Sequence, residues 1–157
     1  MSIRLYELMK AKYEETTPIR GRAVDTRPWD DRRRDAELIV QTTRVMDGVV
    51  TYGAKLHNTV VFEVDPKGTL TFRCDGWVTP TTTDYLHRVL RELGLGIACR
   101  RFNDMWVAIK NPLVSEHCWL RVERDGTTDV FYNPNTNKYE LPEQYVTKRT
   151  TDAVRMK

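Results

Sequence analysis

The residues best placed to do chemistry in this chain are flat aromatics set among bases. Trp106 and Trp119 fall in two β-patterned stretches, "DMWVAIK" and "CWLRV", with Lys110 and Arg121 in the same phase. Stacking rings beside positive charge suit a single-stranded nucleic acid or a nucleotide, the ring taking the base and the charge the phosphate. They also suit a protein partner, because interface energy concentrates in Trp, Tyr and Arg. A second such stretch is "GRAVDTRPWDDRRRD" (21–35), where Trp29 lies among arginines with no apolar period around it. The arginines at 20, 22, 27, 32, 33 and 34 are half offset by Asp25, Asp30 and Asp31. Carboxylates do not belong in a pure polynucleotide arm. Residues 18–36 therefore read as a basic strap, with Trp29 anchored against the fold and Arg32–Arg34 available outside. The candidate partner or ligand contacts are Arg20, Arg22, Trp29, Arg32, Arg33, Arg34, Trp106, Lys110, Trp119 and Arg121.

No catalytic constellation stands out. The sequence holds no phosphate-binding glycine loop, no GxSxG, no HExxH and no HxE…PCxxC. Ser115, His117 and Cys118 are close in sequence, yet a triad is defined by geometry that spacing does not supply. Asp75, Asp84, His87 and His117 are the groups an unfamiliar enzyme would use. Cys74, Cys99, His117 and Cys118 lack the paired spacing of a zinc site, and each cysteine falls where a strand wants an apolar residue. No cofactor or metal is expected. "VTPTTTDYL" (78–86) gathers hydroxyls and a carboxylate at a helix start; such groups bind an anion in some proteins and more often cap the helix.

These residues must be positioned by an α+β fold. "SIRLYELMKAKYEE" carries a helical stripe at Leu5, Leu8, Met9 and Lys12, with Ser2 as N-cap. Pro18 and Gly21 end it. From residue 37 the pattern turns to strands: "ELIVQTTRVM", a "DG" turn at 47–48, "VVTYGAKLH", "TVVFEV" with Val60, Phe62 and Val64 on one side, a "DPKG" turn, and "TLTFRC" with Leu70, Phe72 and Cys74 inward. One wet face per strand suits an antiparallel meander over about 37–74. A helix over about 82–93 follows, with Thr81 and Asp84 at capping-box spacing, a stripe at Leu86, Val89, Leu90 and Leu93, and Gly94 as C′ residue. Two further β-hairpins are expected, at about 96–110 and 118–133. Met105, Val107 and Ile109 would face the core in the first, and Cys118, Leu120 and Val122 in the second. The N-terminal helix packs on the sheet; if it covers the second face, it also covers Trp106 and Trp119. Residues 140–157 read as a polar tail.

The chain has 157 residues, 40% hydrophobic and 30% charged, which suits one domain able to hold its own core. No apolar run approaches a membrane span, and the N-terminus has no secretory-signal pattern. With an odd cysteine count and no CxxC, the expected location is a reducing cytoplasm. The net charge is +3, and residues 18–34 alone carry that excess. A further four bases lie in "TKRTTDAVRMK" against Asp152, so positive charge gathers where the structural pattern is weakest, as contacts with an anionic partner would have it.

"LHNTVVFEVDPKGTLTFRCDGWVTPTTTDYLHRVL" (56–90), with the basic "PIRGR" at 18–22, resembles a loose class of small bacteriophage accessory proteins. Their pattern is NT-x-V on a strand, a turn with GT, a GW, a T-x-TT run and then a helix. The resemblance implies a phage origin and transfers no catalytic residue. It implies action by binding: on a host protein that is inhibited or redirected, in host takeover or counter-defence, or on nucleic acid or a nucleotide messenger. The host cytoplasm is where such a protein would work.

Overall fold

The computed structural model describes residues 5–18, 27–30, 36–76, 79–101, 104–110, 117–122, 127–133 and 138–140; beyond Leu95, side chains are described at Ala98, Met105, Trp106, Val107 and Val122. The order is α1 (Leu5–Glu15), β1 (Arg27–Pro28), β2 (Glu37–Thr43), β3 (Val50–Leu56), β4 (Thr59–Val64), β5 (Thr69–Arg73), α2 (Pro80–Glu92), β6 (Gly96–Arg101), β7 (Asp104–Lys110), β8 (His117–Val122), β9 (Thr127–Asn133) and β10 (Lys138–Glu140). Seven strands form one antiparallel sheet in the order β1-β2-β3-β4-β5-β9-β10, and β6-β7-β8 form a second. This is an α+β fold with the expected meander at β2–β5.

The inner face of the large sheet is apolar because each strand alternates. Ile39, Ala54, Phe62 and Phe72 lie in one row across four strands, and Tyr52, Val64 and Leu70 in the next. All seven are buried, and the Phe62 and Phe72 rings sit 5.2 Å apart. The opposite face is wetter: Arg73 Nη2 pairs with Glu63 Oε1 at 2.8 Å, and Thr51 Oγ1 donates to Glu63 Oε2 at 3.3 Å. Both helices bury one stripe in this core. In α1 the stripe is Leu5, Met9 and Tyr13, and Leu8 is left 38% exposed, so the apolar positions recur every four residues and not as expected. The rings of Tyr6 and Tyr13 meet Tyr52 at 5.4 and 5.5 Å.

The α2 helix begins earlier than its capping-box pattern suggests. Thr79 is the N-cap, accepting from Thr82 N through its hydroxyl, and Pro80 occupies the first turn, where it needs no N–H partner. The C-terminal end follows the glycine expectation. Gly94 has φ 72°, Leu95 N donates to Leu90 O at 2.8 Å and Gly94 N to Arg91 O at 3.0 Å, the paired bonds of a Schellman cap.

Three details of the sheet differ from the pattern. The pairing of β3 with β4 slips between Ala54 and Lys55, a bulge that leaves Val61 without a register partner. Val61 is consequently fully buried while Val60 is half-buried, against the alternation expected of "TVVFEV". The expected hairpin at 118–133 is divided: β8 pairs with β7, whereas β9 pairs with β5. The "DG" at 125–126 lies outside the described residues. The first "DG" turn is also longer than two residues. Arg44 and Val49 are the closing pair, so β2 stops at Thr43 and Val45–Gly48 form the loop. A two-residue turn of the usual hairpin kind needs positive φ at both positions, and here only Gly48 adopts it.

The bulge makes Gly53 obligatory. A Cβ there would lie 2.4 Å from the Phe62 carbonyl oxygen and 3.0 Å from Val60 Cγ1. Gly53→Ala should therefore lose about 1–3 kcal/mol of stability through overpacking. A urea midpoint that does not move would contradict the close approach.

Candidate docking site

Two features position what this molecule exposes: the described part of the strap, and the loop between β2 and β3. The strap crosses from α1 to α2. Arg27 Nη1 donates to the carbonyls of Tyr13 at 2.7 Å and Thr16 at 3.2 Å, closing the C-terminal end of α1, and its guanidinium lies 4.2 Å over the Tyr13 ring. Trp29 is fully buried. Its Nε1 donates to Glu92 Oε2 at 2.6 Å, its ring meets Tyr85 edge-on at 6.4 Å, and Lys12 Nζ stands 4.6 Å from the ring centroid. Asp30 and Glu37 share Arg88 of α2, Glu37 Oε2 accepting from Nη2 and Asp30 Oδ2 from Nη1 at 3.3 Å. Glu37 is 5% exposed on the inner face of β2, a burial that a carboxylate tolerates only with such a partner. Tyr85 donates to Leu38 O at 3.0 Å; burial, then the Glu37 carboxylate, push its phenol well above the ordinary range.

The anchored reading of Trp29 therefore describes the structure, and its role as a partner contact is corrected: its ring is inside. Of the two readings of Trp106, a contact surface or a ring covered by protein, the second describes the structure: Met105, Trp106 and Val107 are all buried, so both sides of β7 are covered there. The register pairs Trp106 with Arg121, Ala108 with Trp119 and Lys110 with His117, which puts Trp106, Lys110, Trp119 and Arg121 in one phase of the pleat as expected. The side chains of Lys110, Trp119, Arg121 and His117 lie outside the described residues, as do Arg20, Arg22, Arg32, Arg33 and Arg34 altogether.

What the fold does expose is the loop at 44–49. Val45 and Met46 are fully exposed, at 101% and 98%. They are not loosely held. Gly48 N donates to Arg44 O and Arg44 N to Val49 O, both at 2.8 Å. The Asp47 carboxylate accepts from Val49 N at 3.1 Å and from Arg44 Nε and Nη2 at 3.3 and 3.2 Å. The Val49 N–H first, and the Arg44 charge after it, hold Asp47 below the usual carboxylate range, which keeps these bonds in place at neutral pH. Arg44 also reaches Asp65, 3.7 Å away in the neighbouring turn. Asp65 is itself fixed, accepting from Lys67 N at 3.0 Å and Thr69 N at 2.9 Å. Tyr6 of α1 donates to Val50 O at 3.0 Å just behind. An apolar pair thus stands in water on a braced support.

The opposite end of the sheet carries a cavity of about 460 Å³, with Leu56, Val61 and Cys74 among its apolar lining and His57, Asn58, Thr79 and Thr81 among its polar lining. The threonines there act as caps. Thr79 and Thr82 hydroxyls are 3.1 Å apart, and Thr83 Oγ1 donates to Thr79 O at 3.1 Å. Of the groups an enzyme would use, Asp75 and Asp84 are exposed, and His87 Nε2 lies 2.8 Å from Arg91 Nη2, a surface contact one helical turn apart. Among the described residues no His, Cys, Asp and Glu side chains gather as a metal ion requires, and no helix is long and apolar enough to cross a membrane. Sequence reading missed Val45 and Met46 because they prolong an apolar, β-branched strand pattern; only Asp47–Gly48 marks that a turn is near.

No protein-family model, curated protein or solved structure matches this chain.

Two stability measurements follow from the strap. Trp29→Ala should cost about 3–5 kcal/mol, as removal of a buried large aromatic does, whereas Met46→Asp should stay within about 0.5 kcal/mol of the parent. Tyr85 contributes an alkaline dependence of stability. Its raised pKa leaves its contribution whole below about pH 10, the ordinary value, and erodes it above that, where the unfolded chain ionises first. Tyr85→Phe should flatten the fall in melting temperature above pH 10; an unchanged slope would contradict the burial of this hydroxyl.

Proposed function

We propose that this chain is a non-enzymatic binding protein that docks on a host protein and inhibits or redirects it, in the manner of small phage accessory proteins acting in the host cytoplasm. The observation that carries this reading is the exposed pair Val45–Met46 on a braced hairpin. Single exposed apolar residues are common and need no explanation. Two adjacent ones, fully in water and held by a salt-bridged turn, are a preorganised anchor: they fit an apolar pocket of a partner without an ordering cost at the tip. Burying each is worth about 1.5–3 kcal/mol, enough to dominate a modest interface. The strap arginines Arg32–Arg34 remain candidates for a second contact.

A nucleic-acid or nucleotide partner is the other reading, and it has less support. It relies on the arginine run and on outward rings at Trp106 and Trp119, and Trp106 is buried.

A photoreactive phenylalanine analogue at position 46 tests the docking reading. Illuminated in a lysate of the host bacterium, it should give one discrete protein adduct, competed by excess parent chain and not by the Met46→Asp variant. The same analogue at the exposed Glu14 of α1 should give none. Equal labelling from both positions, or adducts only with nucleic acid, would overturn the reading. So would flotation of the chain with phosphatidylcholine vesicles that depends on Met46, since the tip would then be a lipid anchor.

A further inference from the structure

Three of the chain's five methionines and one of its three cysteines have described side chains, and they fall into two groups. Met9, Met105 and Cys74 are each 0% exposed, inside the core, whereas Met46 is 98% exposed at the tip of the loop between β2 and β3. A thioether keeps its lone pairs at every ordinary pH, so access decides how fast it is oxidised. A close-packed interior admits an oxidant only when it opens. Of the described sulfurs, the one that peroxide meets in the native state is therefore the one at the docking tip.

The reaction is an oxygen transfer. A lone pair of Met46 Sδ attacks one oxygen of hydrogen peroxide, and the S–O bond forms as the O–O bond breaks. The sulfur is oxidised by two electrons to the sulfoxide and the peroxide is reduced. The departing hydroxide takes the proton of the transferred oxygen and leaves as water. The loop keeps its geometry through this change, because none of its bonds uses the Met46 side chain. They run between Arg44 and Val49, between Gly48 and Arg44, and from Asp47 to Val49 and Arg44. Oxidation thus alters the chemistry of the tip at constant shape. A sulfoxide is polar and accepts hydrogen bonds, and in an apolar pocket it finds no donor, which opposes burial.

We infer that Met46 is an oxidation site that controls docking: the thioether form binds the partner, and the sulfoxide form binds it weakly. This rests on the docking reading and adds its regulation. Val45 carries no oxidisable group, so the control lies in Met46. The exposure that admits peroxide also admits methionine sulfoxide reductases, one for each sulfoxide epimer, so the change is reversible.

The test begins with the chemistry. The full chain is treated with hydrogen peroxide at neutral pH, digested and mapped by mass spectrometry. The peptide holding Met46 should gain one oxygen at least about tenfold faster than those holding Met9 and Met105, as access dictates. Docking is then read with the photoreactive analogue moved to position 45, which leaves Met46 in place. Oxidised chain should give about tenfold less of the host-protein adduct, as loss of one apolar side chain from an anchor does. Both sulfoxide reductases with dithiothreitol should restore it. Met46→Gln should dock as weakly as the oxidised chain, and Met46→Leu should dock like the parent and ignore peroxide. Oxidation of Met46 no faster than that of the buried methionines overturns the site. An adduct that survives full oxidation of Met46 overturns the control of docking while the tip reading stands. An equal loss from peroxide-treated Met46→Leu does the same, because the damage then lies elsewhere. If the untreated chain gives no discrete adduct, the docking reading and this inference fail together.

Discussion

The indole N–H of Trp29 is the interaction on which the arrangement depends. A buried indole must find an acceptor, and the acceptor here is Glu92, at the last residue of α2. That bond draws the strap across the gap between the two helices. Lys12 of α1 sits against the same ring, and Arg27, two residues earlier, closes the end of α1. Asp30, one residue later, joins Glu37 on Arg88. Three elements far apart in sequence are thereby fixed to one short segment: α1, α2 and the start of β2. The described part of the strap is a clasp, in which Arg27 and Asp30 are both bonded within the molecule.

This clasp also covers β2 where Glu37 must be shielded, and its described pairing runs from Glu37 to Ile39. The tip is braced from the other side by the Asp65 turn and by Tyr6, neither of which belongs to the strap. A braced support thus presents an apolar point between β2 and β3. In the reading proposed here, binding energy comes from this point, while Trp29 and Trp106 serve the interior.

The period-two alternation of "TLTFRC" and the 3.6-residue stripe of "YLHRVL" made the meander and α2 legible, since each strand and helix faces water on one side only. The anchoring of Trp29 was legible, because aspartates offset half of the arginines around it. The site was not. Alternation assigns Trp106 to the wet side of β7 correctly by phase, yet it says nothing of whether a second layer covers that side. Nor can it separate β8 from β9, as "DG" signals a turn and not whether the strands flanking it pair. Val45 and Met46 hid in a strand-like run, because where a loop closes is decided by Asp47's bonds to Val49 and Arg44, not by hydrophobicity. The bulge at Val61 left no mark beyond one extra valine.

Methyl spectroscopy addresses the central claim most directly, because the chain has only five methionines and, of the three that are described, Met46 stands in water while Met9 and Met105 are buried. With methyl-labelled methionine and the host protein recovered from the position-46 adduct, the Met46 resonance should shift and broaden on titration, with Met9 and Met105 unmoved. A Met46 signal that stays sharp and in place while the other methionines or the strap respond would contradict the account.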